Sequence, residues 1–334
     1  MARSARRREL GRGERVVPGV WRLRLPLPWP GVPHCNAWAL AAGDGIVLVD
    51  TGMHEPGSLA QLERALKLAG FELEDVRLLV CTHAHADHCG QATTIVERTG
   101  CELWMHPNHA HLSRRAVDPE QTLARRVEIA RQSGVPDEPL RAWAIERRAQ
   151  EPWIAGIPAP DRDLVPGVTI HSDLGPWTVH ETPGHAPSHV CLHQADCRLL
   201  LSGDHLLGRV SLFFDFGFSP DPVGEFLDSL ERVDALDARL ALSGHGRPFA
   251  DVRAHVEANR ALVRRRLHVI RVAIAESPIT AYELALRVYG STFASETATW
   301  LLTKMLCYLT HLEAAGEALR LPGRPERWTT RQGS

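Results

Sequence analysis

The sequence predicts an α/β protein with more than one structural unit, and three features support this. Short apolar runs that are typical of strands alternate with segments of helical spacing between residues 16 and 250. One of these runs, at residues 78–80, ends in a loop that holds three histidines and one aspartate within residues 83–88. After residue 250, helical segments follow one another before a short hairpin. We therefore predict a flexible basic tail (1–15), a catalytic α/β domain (16–250) and a C-terminal domain (251–334).

Length and composition limit the classes of protein to consider. The chain has 334 residues, 44% of them hydrophobic and 23% charged, which is ordinary for a globular protein. Its net charge of -2 provides no general attraction to nucleic acid or anionic membranes. No apolar run is long enough to span a bilayer, and the N-terminus lacks the apolar stretch of a secretory signal. With seven scattered cysteines, we expect a cytoplasmic protein with reduced thiols.

The first part of the chain predicts strands followed by a helix. Residues 20–25, 37–40 and 46–49 have strand patterns, and the last two flank a Gly-Asp-Gly turn signal. Residues 58–69 have helical spacing and stop at Gly70, as helices often do. This order of elements places the histidine-rich loop at the end of a buried strand.

The loop at residues 83–88 predicts a metal site. Neutral imidazole and carboxylate groups are good ligands for zinc and iron. His83 and His85 alternate along the chain and can point the same way from an extended backbone. Asp87 and His88 follow the turn and can face a second ion about 3.5–4 Å from the first.

The pattern His-x-His-x-Asp-His at residues 83–88 resembles the metallo-β-lactamase-fold hydrolases. The downstream motifs of that family are matched by Thr-Pro-Gly-His at 182–185, Leu-Leu-Leu-Ser-Gly-Asp at 199–204 and Ser-Gly-His-Gly at 243–246. The resemblance implies a four-layer αββα sandwich. It also implies that one metal is held by His83, His85 and His185, a second metal by Asp87, His88 and His245, and both by a bridging Asp204.

The same resemblance implies a mechanism and supporting residues. Two divalent ions, zinc in the first place and iron or manganese as alternatives, would share a hydroxide that attacks the substrate, with Asp87 orienting this nucleophile. Asp50 and His189 match family positions that orient the ligands from behind. For Asp50, a strand-end turn residue is the alternative interpretation.

An acyl thioester or ester is the predicted substrate of this site. The seven-ligand pattern is similar to glyoxalase II-type thioesterases, lactonases and nucleases, whereas true β-lactamases of this fold usually lack the aspartate at position 204. A thiolate leaves without being protonated, and the aromatic loop at residues 208–220 suits an acyl group. The alternatives are a metal-dependent endoribonuclease, a lactonase and a mononuclear iron dioxygenase that acts on persulfides.

Several residues are candidates for the substrate pocket, although core packing is an equal alternative for the aromatic ones. They are His205, Phe213, Phe214, Phe216 and Phe218. Residues 108–160 extend beyond the short connection of a basic member of the family and predict a helical insertion. This insertion is either a cover of the active site or an added surface helical pair.

The C-terminal segment has the order helix, helix, helix, hairpin, which resembles the winged-helix domain of some relatives. Residues 260–334 hold 11 basic and 6 acidic residues, and the helix predicted near residues 295–315 has Lys304 as its basic residue. Phosphate binding needs clustered cations. We therefore expect a role in packing, homodimer formation or pocket closure rather than nucleic-acid binding, and a small acyl substrate as the partner.

Overall fold

A computed structural model describes residues 10–29, 31–111, 117–150, 153–156, 159–209, 211–293 and 297–331. The first of its two large sheets has seven strands in sequential order, antiparallel from the first to the fourth strand and parallel thereafter. The strands are β1 (Arg12–Val17), β2 (Val20–Trp29), β3 (Val32–Ala42), β4 (Gly45–Val49), β5 (Val76–Val80), β6 (Glu102–Met105) and β7 (Arg162–Asp163).

The second sheet has six strands and is antiparallel except for one parallel pair, β11 with β12. Its strands, in sequence order, are β8 (Thr169–Ser172), β9 (Gly175–Glu181), β10 (Val190–Gln194), β11 (Leu199–Gly203), β12 (Leu240–Ser243) and β13 (Phe249–Ala250). The strands lie side by side in sequence order, from β8 at one edge to β13 at the other.

The helices cover the outer faces of both sheets. They are α1 (Ser58–Ala69), α2 (Ala86–Cys89), α3 (Ala92–Thr99), α4 (Pro119–Gln132), α5 (Asp137–Arg148), α6 (Pro222–Asp234), α7 (Val252–Glu276), α8 (Ala281–Tyr289) and α9 (Ala298–Ala314). As predicted, α1 covers 58–69 and ends at Gly70, whose φ of 91° is in the left-handed region that favours glycine.

Three buried clusters show that the layers are helix, sheet, sheet and helix. Side chains of the two sheets, such as Trp38 and Trp177, meet in the central cluster. The outer face of the first sheet packs against α1 and α3, and the outer face of the second packs against α6 and the C-terminal helices. The four-layer αββα arrangement that the resemblance implies is therefore present.

The predicted tail is wrong for residues 12–15, which belong to β1, while residues 1–9 lie outside the described residues. Charged side chains made this segment resemble a tail, but an edge strand tolerates charge because one side of it meets solvent. Gly11 and Gly13 allow the segment to lie directly on α1. A Cβ atom at Gly13 would lie 2.1 Å from the carbonyl oxygen of Ala65.

The insertion contains α4 and α5 and contacts two other parts of the chain. The backbone N–H groups of Tyr282 and Glu326 donate to the carbonyls of Ser133 and Gln132, at the end of α4. A side-chain nitrogen of Arg125 donates to the carbonyl of Gly217 in the aromatic loop, at 3.2 Å. The insertion thus lies between the C-terminal segment and the aromatic loop.

The C-terminal segment consists of α7, α8 and α9 followed by a two-stranded sheet of β14 (Ala318–Leu321) and β15 (Arg327–Thr330). Its helices share one buried cluster with α6 and the second sheet. None of the helices in the described part of the chain has the length and hydropathy needed to cross a membrane.

Candidate metal centre

The histidine-rich loop starts where β5 ends, and a single helical turn divides its four polar residues into two pairs. His83 and His85 precede α2, and His85 is its N-cap residue. Asp87 and His88 lie inside α2 and are buried. The backbone changes from extended to helical between the pairs, so His83 and His85 meet His185, while Asp87 and His88 meet His245.

The first cluster joins His83, His85 and His185. The candidate ligand atoms of the three side chains all lie within 4.8 Å of one another. Nε2 of His185 is 3.0 Å from Nδ1 of His85. His185 comes from the loop between β9 and β10, so the two sheets supply this cluster together.

The second cluster joins Asp87, His88 and His245, again within 4.8 Å. Nε2 of His245 lies 3.2 Å from Asp87 Oδ2. Asp204, at the end of β11, lies between the clusters. One of its carboxylate oxygens is 3.5 Å from His88 Nε2, while the other is 3.2 Å from His245 Nε2 and 3.6 Å from His185 Nε2. Asp204 therefore has the position of a bridge.

Three buried atoms that point into the centre fit cations. Nε2 of His83, Nε2 of His88 and Oδ1 of Asp204 have no hydrogen-bond partner within the part of the chain that the structure describes. Buried polar atoms without partners are costly, and lone pairs that converge from imidazole and carboxylate groups suit zinc, iron or manganese. The donor set therefore fits divalent metal ions.

Four of the histidines are held through the ring nitrogen that faces away from the centre. Nδ1 of His88 lies 2.9 Å from Asp50, Nδ1 of His245 lies 2.9 Å from the carbonyl of His34, and Nε2 of His85 lies 2.8 Å from Asp215. With metal bound, the proton of each ring would stay on the nitrogen that faces outward, which leaves the inward nitrogen available as a ligand.

His83 reaches the same state through a hydroxyl group. Thr82 Oγ1 donates to the carboxylate of Asp50, so it can only accept from Nδ1 of His83, which is 3.0 Å away. Asp50 therefore orients two imidazoles at once. It adopts a φ of 64°, a strained conformation for a residue with a Cβ atom, which this network of hydrogen bonds stabilises.

His189 supports the bridge from behind. Its Nε2 accepts a hydrogen bond from the backbone N–H of Asp204 at 3.0 Å, and its Nδ1 lies 2.8 Å from Thr182 Oγ1. Both ring nitrogens are thereby occupied, so His189 is a neighbour of the centre and not a ligand. Asp50 and His189 therefore each contact a side chain or the backbone of a candidate ligand.

The first sheet also holds the loop that carries His245. Asn36 Nδ2 donates to the carbonyls of Ser243 and Gly246, and the guanidinium of Arg22 donates to Gly246 as well. Close packing in this loop requires glycine at 244, because a Cβ atom there would lie 2.2 Å from Asp204 Oδ1. No sequence signal pointed to Asn36 or Arg22, since their contacts are more than 200 residues distant in the chain.

The charges of the centre favour cation binding. Burial acts to raise the pKa of Asp204, but His245 and His88 lower it well below its usual range. Burial acts to lower the pKa of His245, yet Asp204 and Asp87 raise it to about 10. Without metal, protons on the histidines balance the buried carboxylates. A divalent ion would replace these protons, since metal binding to such a site releases them.

A protein-family model described as the metallo-beta-lactamase superfamily matches residues 30–245. This stretch contains both clusters and Asp204. The chain belongs to the metallo-beta-lactamase superfamily.

The relatives of this superfamily member match different shares of its length. A probable metallo-hydrolase, YqjP of Bacillus subtilis (strain 168), is 26% identical over 289 residues, which are 83% of this chain and 87% of the relative. The crystal structure of a beta-lactamase domain protein from Burkholderia ambifaria is 28% identical, with a TM-score of 0.83 over 96% of this chain and 94% of that one. An atrochrysone carboxyl ACP thioesterase of Claviceps purpurea (strain 20.1) is 26% identical over 150 residues, 42% of this chain and 46% of the relative. Membership supports a metal-dependent hydrolase.

The aromatic loop divides its four phenylalanines between the centre and the core. Phe213 lies beside the first cluster, with its ring centroid 5.9 Å from that of His85 and 5.6 Å from that of His185. Phe218 contacts the ring of His111 and lines a cavity of about 250 Å³ that also includes His189. The pocket role of these two residues stays a prediction.

The prediction of a pocket role is wrong for Phe214 and is not supported for Phe216. Phe214 is fully buried against Phe226 and Tyr308, and Phe216 packs against the same core. His205 is also wrong as a pocket residue, because it is 2% exposed and its ring packs against Phe226. As the residue directly after Asp204, it points to the opposite side of the chain.

Asp215 and His111 lie next to His85, on the side of its ring that faces away from the clusters. Asp215 binds His85 Nε2 and lies 3.7 Å from Nδ1 of His111, whose Nε2 is 2.9 Å from Ser188 Oγ. Burial acts to raise the pKa of Asp215, but His85 lowers it to about 2. The sequence interpretation missed Asp215, although a single acidic residue between phenylalanines was a usable signal.

Proposed function

We propose that the protein is a dinuclear metal-dependent hydrolase that cleaves an acyl thioester or ester, in the manner of glyoxalase II-type enzymes. The observation that carries this proposal is the convergence of seven candidate ligands with three partnerless buried atoms. The set divides into His83, His85 and His185 for one ion and Asp87, His88 and His245 for the other, with Asp204 between them. We propose zinc as the native metal, with iron and manganese as the alternatives.

The residues of the chain have distinct roles in this proposal. Two bound divalent ions would bring the pKa of a shared water from 15.7 to roughly 7 and would polarise the substrate carbonyl. Asp87 has a lowered pKa, because His88 and His245 outweigh its burial, so it stays ionised and can orient the attacking water. Asp50 and Asp215 keep the imidazoles in the required tautomers.

The wall beside the centre supports an acyl substrate. Phe213 presents an apolar ring next to the first cluster, and Phe218 presents one next to His111. A thioester releases a thiolate, which leaves without being protonated and so does not depend on a general acid. The thioesterase name of the relative from Claviceps purpurea supports the same substrate class.

The C-terminal segment supports a packing role rather than nucleic-acid binding. Helix α9, the one that would enter a groove in a winged-helix domain, has eight buried residues, including Leu302, Met305 and Tyr308. Its lysine is occupied, since Lys304 Nζ donates to the carbonyl of Leu212 at 2.9 Å. We propose that the segment closes one side of the substrate pocket within a single chain. Sedimentation analysis tests homodimer formation separately.

The test combines metal counting with a panel of substrates. Purified protein is analysed for metal by mass spectrometry and is then assayed on acyl thioesters, acyl esters, lactones and a labelled single-stranded RNA. Wild type is compared with His85→Ala and with His180→Ala as a control, because His180 lies on β9 and its ring pairs with Thr178 rather than with the centre.

We expect two ions per chain and thioester or ester cleavage that chelator and His85→Ala abolish and His180→Ala retains. Cleavage of RNA with inert thioesters would replace the proposal by an endoribonuclease. Cleavage of lactones alone would indicate a lactonase, and a single iron per chain would indicate a dioxygenase.

A further inference from the structure

Two loops supply the first cluster, and a side-chain hydrogen bond joins them. His83 and His85 follow β5, whereas His185 lies between β9 and β10. The backbone N–H of Ala84, the residue between the first two histidines, donates to Ser188 Oγ at 2.9 Å. Ala84 and Ser188 are both 1% exposed. A buried N–H without an acceptor is costly, so this bond stabilises the contact between the loops.

A second hydrogen bond joins the same loops through the backbone. The N–H of Val190 donates to the carbonyl of Thr82 at 2.8 Å. The two bonds together hold the loops at a spacing that leaves Nε2 of His185 3.0 Å from Nδ1 of His85. Ser188 is the side-chain part of this junction, so a substitution can remove its contribution while the backbone bond stays.

His111, near the start of the insertion, meets Ser188 from the other side. Its Nε2 lies 2.9 Å from Ser188 Oγ, and its side chain is 5% exposed. The ring of His111 lies beside that of His85, with centroids 5.8 Å apart, and contacts the ring of Phe218. Its Nδ1 is 3.7 Å from Asp215, the residue that binds His85. His111 therefore fills the space between Ser188 and the aromatic loop.

The segment before His111 is attached to the same part of the chain at two more places. Nε2 of His106 lies 3.0 Å from the carboxylate of Glu181, at the end of β9. Nδ2 of Asn108 donates to the carbonyl of Pro187 at 3.3 Å. The start of the insertion thus lies along the end of β9 and the loop that follows it, so its position determines where the ring of His111 can lie.

We propose that Ser188 and His111 are positioning residues for the ion that the first cluster would hold. Ser188 keeps the two ligand loops at the spacing of this ion, and His111 holds the hydroxyl of Ser188 in place. The affinity of the first cluster for its ion then depends on the insertion. The second cluster is held by other contacts, with Asp50 and with the carbonyl of His34. The proposal rests on the ligand set of the proposed function.

The test measures the two ions separately. Wild type, Ser188→Ala and His111→Leu are titrated with zinc in competition with a chelating dye, and the visible absorption of the cobalt(II)-loaded proteins is recorded. His185→Ala and His245→Ala provide reference spectra for a protein that lacks a ligand of the first or of the second cluster. Ser133→Ala is the matched control, because the hydroxyl of this buried serine donates to a backbone carbonyl at the end of α4.

We expect Ser188→Ala to weaken the binding of one ion by about 10- to 100-fold, the usual cost of removing a contact that supports a metal ligand, and to leave the other ion unchanged. The absorption bands that weaken should be those that His185→Ala lacks. Ser133→Ala should bind both ions as wild type does. Equal weakening of both ions, or no weakening of either, would overturn the role of Ser188.

The role of His111 is tested by a double variant. His111→Leu keeps an apolar side chain against Phe218 and should weaken the same ion to a smaller extent. His111→Gln, whose amide can reach Ser188, should recover part of this loss. Because His111 acts through Ser188, adding His111→Leu to Ser188→Ala should have little further effect. Fully additive losses would overturn this coupling.

The titration also separates this proposal from the proposed function. If wild type binds two ions but cleaves no thioester or ester, and Ser188→Ala weakens the first ion, the positioning role stands and the proposed substrate fails. If wild type cleaves esters with two ions and Ser188→Ala binds both normally, the positioning role is refuted and the hydrolase proposal stands. A wild type that binds no divalent ion would refute both.

Discussion

The candidate metal centre and the aromatic loop beside it differ in what fixes the orientation of each side chain. In the centre, His83, His85, His88 and His245 are each held by an oxygen acceptor on the ring nitrogen that faces outward. In the aromatic loop, side chains of one type face different ways. Phe213 faces the centre, whereas its neighbour Phe214 faces the core. The histidines are thus held in one orientation by hydrogen bonds, whereas packing against distant residues decides which way each phenylalanine of the loop faces.

The largest effect should come from breaking the centre without removing a ligand. Gly244→Ala places a methyl group 2.2 Å from Asp204 Oδ1, so we expect lost metal and a fall in activity of more than about a hundredfold. Metal analysis and kinetics check this. In Gly246→Ala the new methyl meets nothing within 4 Å, and only the positive φ of 77° adds strain. This control should lose stability of about 1–2 kcal/mol and keep its metal.

Asp215→Asn, in the aromatic loop, should reduce metal affinity or turnover. The amide cannot hold the imidazole of His85 as a carboxylate does, so we expect a 10- to 100-fold loss, roughly, in metal affinity or kcat. Competition with a chelating dye measures the affinity. Asp228→Asn, at an exposed position of α6, should leave both quantities unchanged. Wild-type affinity and turnover in Asp215→Asn would show that this contact is dispensable.

The two adjacent phenylalanines should separate stability from substrate binding. Phe214→Ala removes a fully buried ring and should lower the free energy of unfolding by about 3–5 kcal/mol. Phe213→Ala should cost little stability but raise KM for acyl substrates. Urea unfolding and steady-state kinetics test the pair. If both variants lose stability equally, the division of the aromatic loop between core and centre is incorrect.

The smallest effect concerns pH in the metal-free protein. His85 lowers the pKa of Asp215 to about 2 from an ordinary value of 3.8. This group therefore adds stability, on the order of 2 kcal/mol, above its unfolded pKa, and the contribution is lost as the pH falls through about 4 towards 2. Unfolding at pH 6 and pH 3 should show a smaller gap between wild type and Asp215→Asn at the lower pH. A gap that widens on acidification would contradict the pairing.

Sequence reasoning succeeded where function depends on local patterns. The spacing of His83, His85, Asp87 and His88 across one strand end and one helical turn is visible in the chain itself. The turn at residue 43 and the helix end at Gly70 are local in the same way. These signals come from backbone geometry within a few residues, so the fold class and the clusters could both be predicted.

Sequence reasoning failed where contacts between distant parts of the chain determine the position of a side chain or strand. Nothing local distinguishes Phe213 from Phe214, since the choice depends on Phe226 and Tyr308 far along the chain. The same holds for Asn36, which supports the loop of His245 from a strand 207 residues away in sequence. Arg12 and Arg15 were assigned to a tail because the spacing of residues in their own segment does not show that it pairs with β2.

The most direct test of the proposed dinuclear centre is the metal content of wild type beside that of Asp204→Ala. Asp204 contacts His185 of one cluster and both histidines of the other, so its loss should affect both ions. We predict two ions per chain in wild type and less than one in the variant, with turnover reduced by more than about a thousandfold. Two ions and full turnover in Asp204→Ala would contradict the bridging role and the account built on it.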